Sequence, residues 1–594
     1  MKKKRVWNNV YYVLAEEIGE KTGKFLLIYF PAVSMLELLA YGRKGIFSFI
    51  ASRLWFLTAV VLLSVFCGSL VKLLYEDIRN KRYLPVVGYL CMLGFLLYFV
   101  GNIGYGDINA EAALQVGAGL DSFSVKDWNY TGGAFLGYAN RQYLLNAIPA
   151  LLFGRSIWTL HMGYAGLFLI GINMLYMEFR EQVKRYELNE SLALVPCYAV
   201  LAFRFIGEYY LNFEQTITPV ALTMMGIALF LRLCRKMNVV TVVALTWVGC
   251  FYCDTYTPAV ASLGLLLCFL VLYGIDIYRK HRENRNSKNA TNNRKEVLFK
   301  ILVLLGSAGT MCCFFIATLM GTRQDRLNSV RKDRNPFALA KEVWISFFSD
   351  EHAVFFGIFL GIVLLYFIFA LTGRLRFYDF IVTAWVFGVA LFAELLVGYT
   401  TYDKAHILQR NMIVIPVLVT SIFLWIVRVV AKYKLQASGK HIASILLLLG
   451  IIATIGFKSE HQSFVYFRYV QPMKYMIACM EELLEEKGIP EDGEINIVLV
   501  TDNVLQTNIY DYADFFYPNA NTYAISSMAE LPDIDYSRKT FVFAEAEEVF
   551  RRFNIDVESK AYDNERYETE VIWYYGEMKK SSSLLDFSEN PLYN

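Results

Sequence analysis

Charged side chains are scarce in this sequence of 594 residues. Lysine, arginine, aspartate and glutamate together make up 19% of it, whereas hydrophobic residues make up 56% and aromatic residues 16%. Disordered chains and ordinary soluble domains both carry more charge, so both classes are excluded. The net charge of +3 is small, and we therefore expect no nucleic-acid partner. The composition is typical of a protein that crosses a membrane many times.

Several motifs of soluble enzymes are also missing. There is no P-loop, no GxSxG nucleophile elbow and no HExxH motif, which argues against nucleotide hydrolysis, serine hydrolysis and zinc proteolysis. The 10 cysteines lie almost entirely inside apolar runs, so a disulfide framework is not expected. Cys250 and Cys253 have metal-ligand spacing, but no second pair accompanies them, and we interpret them as buried thiols.

Apolar runs of membrane-spanning length are the most abundant feature of the chain. At ~20 residues per span, the sequence predicts about thirteen transmembrane helices. Their approximate cores are residues 25–41, 53–75, 84–102, 158–177, 191–206, 217–233, 238–253, 257–277, 297–320, 353–372, 380–398, 410–430 and 441–457. The distribution of lysine and arginine between the loops predicts a cytoplasmic N-terminus, which places everything after the last span outside.

A shift in composition after residue 457 predicts two domains. Residues 1–457 form the transmembrane domain, with a first long outer loop at 103–157, and residues 458–594 form a small extracytoplasmic domain. The elements predicted in the second domain are helices at 475–487 and 546–553 and strands at 495–500, 540–543 and 571–575. Helices that alternate with strands indicate an α/β fold. The predicted fold class is an all-α polytopic membrane bundle with a small C-terminal α/β domain.

The first outer loop opens with the polar stretch Gly104-Tyr105-Gly106-Asp107-Ile108-Asn109-Ala110-Glu111. An acid directly after a membrane span is a functional-site hypothesis, because its charge is costly near lipid. Asp107 and Glu111 are four positions apart, so they share one face of a helix that starts there. Such a pair can act as a general base or bind a divalent metal. The alternative is a helix start with Asp107 as N-cap.

Two parts of the same loop, residues 107–120 and 139–153, have apolar residues at helical spacing. We predict that both are amphipathic helices lying on the outer leaflet. Arg141 begins the second of them, where it either contacts a ligand or extends its charge from the lipid to water.

Further acids are predicted on the outer side. Glu208 and Glu214 lie in the loop after the fifth span, and Asp254 ends the seventh. Each alone is more often a solvated loop residue, whereas acids at several loops on one face favour a shared polar cavity.

Basic residues are also predicted on that side. Loop 321–350 contains Arg331 and Arg334 although the positive-inside rule disfavours arginine in an outer loop. Their guanidinium groups suit a lipid phosphate, and attraction to headgroups in general explains them equally well. Lys404 and Arg410 lie near the twelfth span and are further phosphate-binding candidates.

The arrangement of the first loop resembles a known family. Gly106-Asp107 ends an early span, and the pattern continues as Ala113-Leu114, then Asp127-Trp128-Asn129-Tyr130, then Leu151-Leu152-Phe153-Gly154 before the next span. This resembles the first-loop signature of the bacterial GT-C glycosyltransferases, which are related to protein O-mannosyltransferases and the lipid A aminoarabinose transferase. The resemblance covers residues 86–255 best.

The resemblance implies transfer of a sugar from a polyprenyl-phosphate donor to a glycan or lipid acceptor at the outer face. Asp107 would be the base or a metal ligand, and Glu208 or Glu214 would be the second acid. No cofactor is certain, and a divalent metal is one option. A lipid-linked sugar flippase and a polysaccharide polymerase or ligase are the alternatives. A flippase predicts buried polar residues deep in several spans, and a polymerase or ligase would use the basic loop 321–350.

Overall fold

A computed structural model gives the architecture of most helices and of the C-terminal sheet. It describes residues 46–101, 145–202, 217–235, 239–252, 290–321, 414–432, 467–490, 493–500, 515–525, 537–544, 557–564 and 569–578, with single positions between these ranges. Within them the protein is mostly helical, with a small sheet near the C-terminus.

The described helices follow the predicted apolar cores closely. They are α1 (Ile46–Arg79), α2 (Tyr83–Gly101), α3 (Ile148–Phe153), α4 (Ile157–Arg185), α5 (Leu194–Ala202), α6 (Ile217–Arg235), α7 (Val239–Tyr252), α8 (Ala290–Gly321), α9 (Val414–Lys432) and α10 (Phe467–Glu486). The cores predicted at 25–41, 257–277, 353–372, 380–398 and 441–457 lie wholly or mostly outside the described residues. The count of about thirteen spans therefore stays a prediction.

Two helices in the described part of the chain are long and apolar enough to cross a membrane, Trp158–Arg185 and Ile217–Arg235. Both are mostly buried, and the core helices of soluble proteins share these properties. The polarity of the neighbouring helices is more informative.

Helix α8 exposes a stripe of leucine side chains and buries two hydroxyl groups. Leu298, Leu302 and Leu305 are exposed on one stripe, whereas Ser307 and Thr310 are buried. Water would penalise this arrangement, because contiguous exposed leucine surface is avoided by soluble proteins. A lipid environment favours it, since small hydroxyl residues then mediate helix contacts.

Four buried threonine hydroxyl groups in the helices are hydrogen-bonded. Thr223, Thr246, Thr310 and Thr420 each donate to the carbonyl oxygen four residues earlier, at 2.7–2.8 Å. Thr246 also bonds to Ser307 across the α7–α8 contact at 2.5 Å. These bonds remove the desolvation cost that an unpaired hydroxyl would have in an apolar layer.

Helices α4 and α6 pack side by side and run in the same direction. At one end of the pair, the Asn146 side chain before α4 bonds to Thr218, and at the other end Glu178 contacts Arg235 at 3.1 Å. We call the end with Arg82, Arg180 and Arg235 the basic end, and the end with Asn146, Arg155 and Thr218 the loop end.

Four charged residues form a closed ring at the basic end. Arg180 contacts Asp77 and Glu190, and Arg82 contacts the same two carboxylates. Asp77 is 0% and Arg180 3% exposed, and Arg180 Nη1 also lies 3.2 Å from the Tyr176 hydroxyl. The ring joins α1, the α1–α2 turn, α4 and the 3-10 turn Glu190–Ala193, so each buried charge is compensated by one from another element.

The C-terminal sheet has the strand order β2-β1-β3-β5-β4. The strands are β1 (Ile495–Val500), β2 (Asn521–Ile525), β3 (Lys539–Ala544), β4 (Glu558–Asn564) and β5 (Thr569–Met578). β1 is parallel to β2 and β3, whereas β5 is antiparallel to β3 and β4. β1 is buried along its whole length, which explains its mainly apolar sequence, and its one polar residue, Asn496, donates a hydrogen bond to Thr540 Oγ1 at 2.9 Å.

Helix α10 packs against this sheet. Ile477, Met480 and Leu484 of α10 belong to the same buried cluster as Ile497 and Phe543.

An ion pair reinforces the packing of α10. Lys560 Nζ on β4 donates to Glu482 at 2.7 Å and Glu486 at 3.0 Å. Burial lowers the pKa of Lys560, but the bonds to these two carboxylates outweigh it, so the net shift of the pKa is upward.

The structure confirms the strands predicted at 495–500, 540–543 and 571–575, and it adds β2 and β4. β4 was missed because its sequence is polar and it lies at a sheet edge, where burial imposes little apolar pattern. α10 begins at Phe467 rather than at residue 475. Of the helix predicted at 546–553, only Glu547 and Phe550 are described, both in 3-10 conformation, and the proposed domain boundary at 457 also lies outside the described residues.

We predict that Arg180→Met destabilises the protein by about 3–5 kcal/mol, because it leaves the buried carboxylate of Asp77 with one partner fewer. The matched control is Lys72→Met on α1, since Lys72 forms an exposed pair with Glu76 at 3.9 Å worth about 0.5 kcal/mol or less. Thermal unfolding of both purified variants in detergent measures the difference. Equal unfolding temperatures would contradict a structural role for the ring.

Candidate functional site at the loop end

The residues predicted from the sequence to carry chemistry all fall in segments next to the described helices. They are Asp107, Glu111, Arg141, Glu208, Glu214, Asp254, Arg331, Arg334, Lys404 and Arg410, and each lies outside the described residues. Their roles stay predictions. The described helices nevertheless show the direction in which the chain enters or leaves several of these segments.

Helix α2 leads to the Asp107 segment. It begins at Tyr83, next to Arg82 of the ion ring, so it runs from the basic end to the loop end and finishes at Gly101. Helix α5 follows the ring residue Glu190 and runs the same way to Ala202, six positions before Glu208. Both helices therefore run towards the loop end, although the described part of α5 is only nine residues long and stops beside the first half of α2, where Tyr198 bonds to the Gly88 carbonyl.

Two more helices deliver segments to the same end. Helix α6 starts there at Ile217, three positions after Glu214. Helix α7 starts at Val239, four positions after Arg235 of the basic end, and runs back towards the loop end. The directions of these four helices agree with the prediction that the acids lie at the loop end, and the acids themselves lie outside the described residues.

Asn146 anchors the second half of loop 103–157. Its Nδ2 donates to Thr218 Oγ1 at 3.2 Å, and its backbone carbonyl packs on α4 where Gly163 has no side chain. A Cβ at Gly163 would lie 2.0 Å from that carbonyl oxygen. Among the described residues Asn146 Oδ1 has no hydrogen-bond partner although it is buried, so this end offers an unused acceptor.

A sharp corner connects α3 to α4. Gly154 has φ +88°, a conformation that favours glycine, and Ser156 then starts α4 with a capping box to Thr159. The corner presents Phe153, 80% exposed, and Trp158, 52% exposed. Exposed aromatic side chains at the start of an apolar helix are typical of the boundary between lipid and water.

The tail of the chain contacts both parts of this loop that the structure describes. Arg155 Nη1 donates to the Phe515 carbonyl oxygen at 2.9 Å, and its guanidinium carbon lies 5.8 Å from the centroid of the Phe515 ring. A Cβ at Gly117 would lie 4.0 Å from Phe515 Cδ2. Phe515 is fully buried, and Phe516 packs on it edge to face with centroids 4.9 Å apart.

The amphipathic helices predicted in this loop are partly described. Ala113, Val116, Gly117 and Leu120 are helical, and the second stretch forms α3 with a turn at Ala147 before it. Ala113 and Val116 are fully buried, so this face of the first helix contacts protein. The predicted helical spacing was correct, and burial against the rest of the protein was not foreseen.

A histidine and a cysteine, residue types that can bind metals, lie in apolar surroundings. His161 and Cys250 are both 1% exposed within helices, and Cys250 is a free thiol, whereas Cys253 lies outside the described residues. No group of three or more metal-ligating side chains occurs among the residues that the structure describes. A divalent metal therefore remains a prediction that depends on Asp107 and Glu111.

Comparison with known proteins gives weak similarities. No family model and no curated protein matches the sequence. Two structures of ArnT from Cupriavidus metallidurans, one in the apo state and one bound to undecaprenyl phosphate, are similar with TM-scores of 0.47 and 0.46. Each is 11% identical, and the similarity covers 82% of this chain and 97% of the ArnT chain. Similarity this weak establishes neither fold nor function, so the site rests on the residues of this chain.

We predict that Gly163→Ala destabilises the loop end by about 1–3 kcal/mol, because the new methyl group overlaps the Asn146 carbonyl. Gly166→Ala, one turn further along α4, is the matched control, since a Cβ there meets nothing within 4 Å and alanine favours the helix by about 0.5–1 kcal/mol. Thermal unfolding in detergent distinguishes them. A Gly163→Ala protein as stable as the Gly166→Ala protein would show that Asn146 does not pack as described.

Proposed function

We propose that the chain is an integral membrane glycosyltransferase that moves a sugar from a polyprenyl-phosphate donor to an acceptor on the outer face of the membrane. The observation that supports the proposal is the direction of four helices: those that precede Asp107, Glu208 and Asp254 run towards the loop end, and the helix that follows Glu214 starts there. An enzyme of this class needs acids gathered at one membrane surface, where a lipid-linked donor and a water-borne acceptor can meet.

The orientation follows from charge. The basic end carries Arg79, Lys184, Arg185 and Arg235, and lysine and arginine concentrate in cytoplasmic loops. The loop end then faces outward, together with the tail that contacts it through Arg155 and Phe515. The stripe of leucines exposed on α8 supports a lipid environment for the bundle as a whole.

In the proposed mechanism Asp107 accepts the proton of the acceptor hydroxyl as that oxygen attacks the anomeric carbon of the donor. A carboxylate with an ordinary pKa of about 4 is ionised at neutral pH and can do this work. Glu111 shares the same helix face as a second carboxylate, and Glu208 or Glu214 orients the acceptor. If a divalent metal binds, Asp107 and Glu111 are its proposed ligands.

The polyprenyl phosphate leaves with negative charge, which nearby cations stabilise. Arg331, Arg334, Lys404 and Arg410 are the proposed source of that stabilisation, and Arg141 is a further candidate in the first loop. Undecaprenyl phosphate is the carrier to test first. The proposed step requires a hydroxyl group on the acceptor and a phosphate leaving group on the donor.

We predict that Asp107→Asn lowers product formation by about 10²-fold or more, because the amide cannot accept the proton. The test uses a host strain lacking the gene and complemented with each variant, and mass spectrometry compares its envelope glycans and lipids at matched protein levels. Asp121→Asn is the control, since Asp121 is an acid of the same loop without an assigned role. Unchanged glycans in the Asp107→Asn strain would contradict its role as base.

The same assay separates the polymerase or ligase alternative. Loss of product with Arg331→Ala while Asp107→Asn retains full product would favour a reaction that depends on the basic loop 321–350. Loss with Asp107→Asn is the result expected for the glycosyltransferase.

A further inference from the structure

Phe515 lies between two parts of the first outer loop that are far apart in sequence. Its ring faces Gly117 in the first loop helix, at 4.0 Å from the position a Cβ would take, and its carbonyl accepts a hydrogen bond from Arg155 at the end of the loop. One buried residue of the tail thus contacts the loop near its start and at its end.

The contact is formed by complementary groups. The half-buried Arg155 guanidinium has both a backbone oxygen at 2.9 Å and an aromatic ring at 5.8 Å as neighbours. A bond from a charged donor is stronger than a neutral one, and the ring adds a cation–π attraction. The ring lies close to the helix at Gly117, where a Cβ would be at van der Waals distance from it, 4.0 Å.

Gly117 lies on the helix segment that follows the acids. The helical positions Ala113, Val116 and Gly117 come directly after Glu111, and their burial fixes that helix against protein. Displacement of this helix would carry the residues before it along, since a helix moves as a rigid body over its length.

We propose that Phe515 and Arg155 are positioning residues, through which the tail holds the first outer loop and its acids in their working geometry. This rests on the proposed function. The tail is thereby a working part of the site: without its contact the loop helix loses one packing surface and its anchor at Arg155. Neither residue touches the reacting atoms in this scheme.

The first experiment measures the loop itself. Amide hydrogen exchange of the full-length protein in detergent is compared for wild type, Arg155→Met and Arg155→Lys. We expect Arg155→Met to speed exchange in residues 113–120 and 145–153 about tenfold, because the charged hydrogen bond is lost. Arg155→Lys retains a donor and is expected to restore most of the protection.

Arg538→Met is the matched control. Arg538 Nη1 also donates to a backbone carbonyl of the tail, that of Asn519 at 2.9 Å, but it does so from within the tail. Its replacement is expected to leave exchange in the loop unchanged. Phe515→Leu tests the ring, since it keeps the carbonyl, and should speed exchange mainly in residues 113–120, with a smaller effect on residues 145–153 because the cation–π contact with Arg155 is lost.

The second experiment measures product in the complementation assay. Arg155→Met is expected to lower product about tenfold at matched protein level, with rescue by Arg155→Lys, whereas a merely structural contact would change protein level and leave product per protein constant. Unchanged exchange in Arg155→Met and Phe515→Leu, or faster exchange with full product, would overturn the proposal. If Asp107→Asn retains full product, the proposed function fails, while the exchange experiment still reports on the contact.

Discussion

A closed ring of two arginines and two carboxylates fixes the basic end of the bundle. Arg180 and Arg82 each contact both Asp77 and Glu190, so three helical elements and a turn meet at one compensated cluster. Unpaired buried charges are costly, which leaves this arrangement few alternatives. Helices α2, α4 and α5 begin or end at this cluster, and it therefore sets which of their termini face the opposite end.

Helix positions were predictable because an apolar layer imposes long apolar runs on the sequence. The ends of the helices were less predictable. α4 continues past its predicted end at residue 177 to Arg185, since Glu178 and Arg180 pair with residues of other elements and stay buried. A helix end predicted from hydrophobicity alone stops at the first charged residues. It cannot take into account that residues distant in sequence neutralise these charges in the folded protein.

Some features of the candidate site were predictable from the sequence, and others were not. Acids that follow apolar runs are visible in the sequence, and the directions of α2, α5, α6 and α7 agree with the idea that they share one end. The contact between Arg155 and Phe515 could not be predicted from the sequence. The acceptor is a backbone carbonyl, which every residue has, so the bond requires no particular residue type at position 515. Gly163 matters because it leaves space for the Asn146 carbonyl, and that contact depends on how the chain folds back before α4.

The separation between Arg155 and Phe515 has a consequence for biosynthesis. The two residues are 360 positions apart, and at about 5–20 residues per second a ribosome needs roughly 20–70 s to cover that interval. The early helices are thus inserted well before the segment that completes their outer surface has been made. The newly made chain must pass through a period of immaturity, which ends only when its last part has docked.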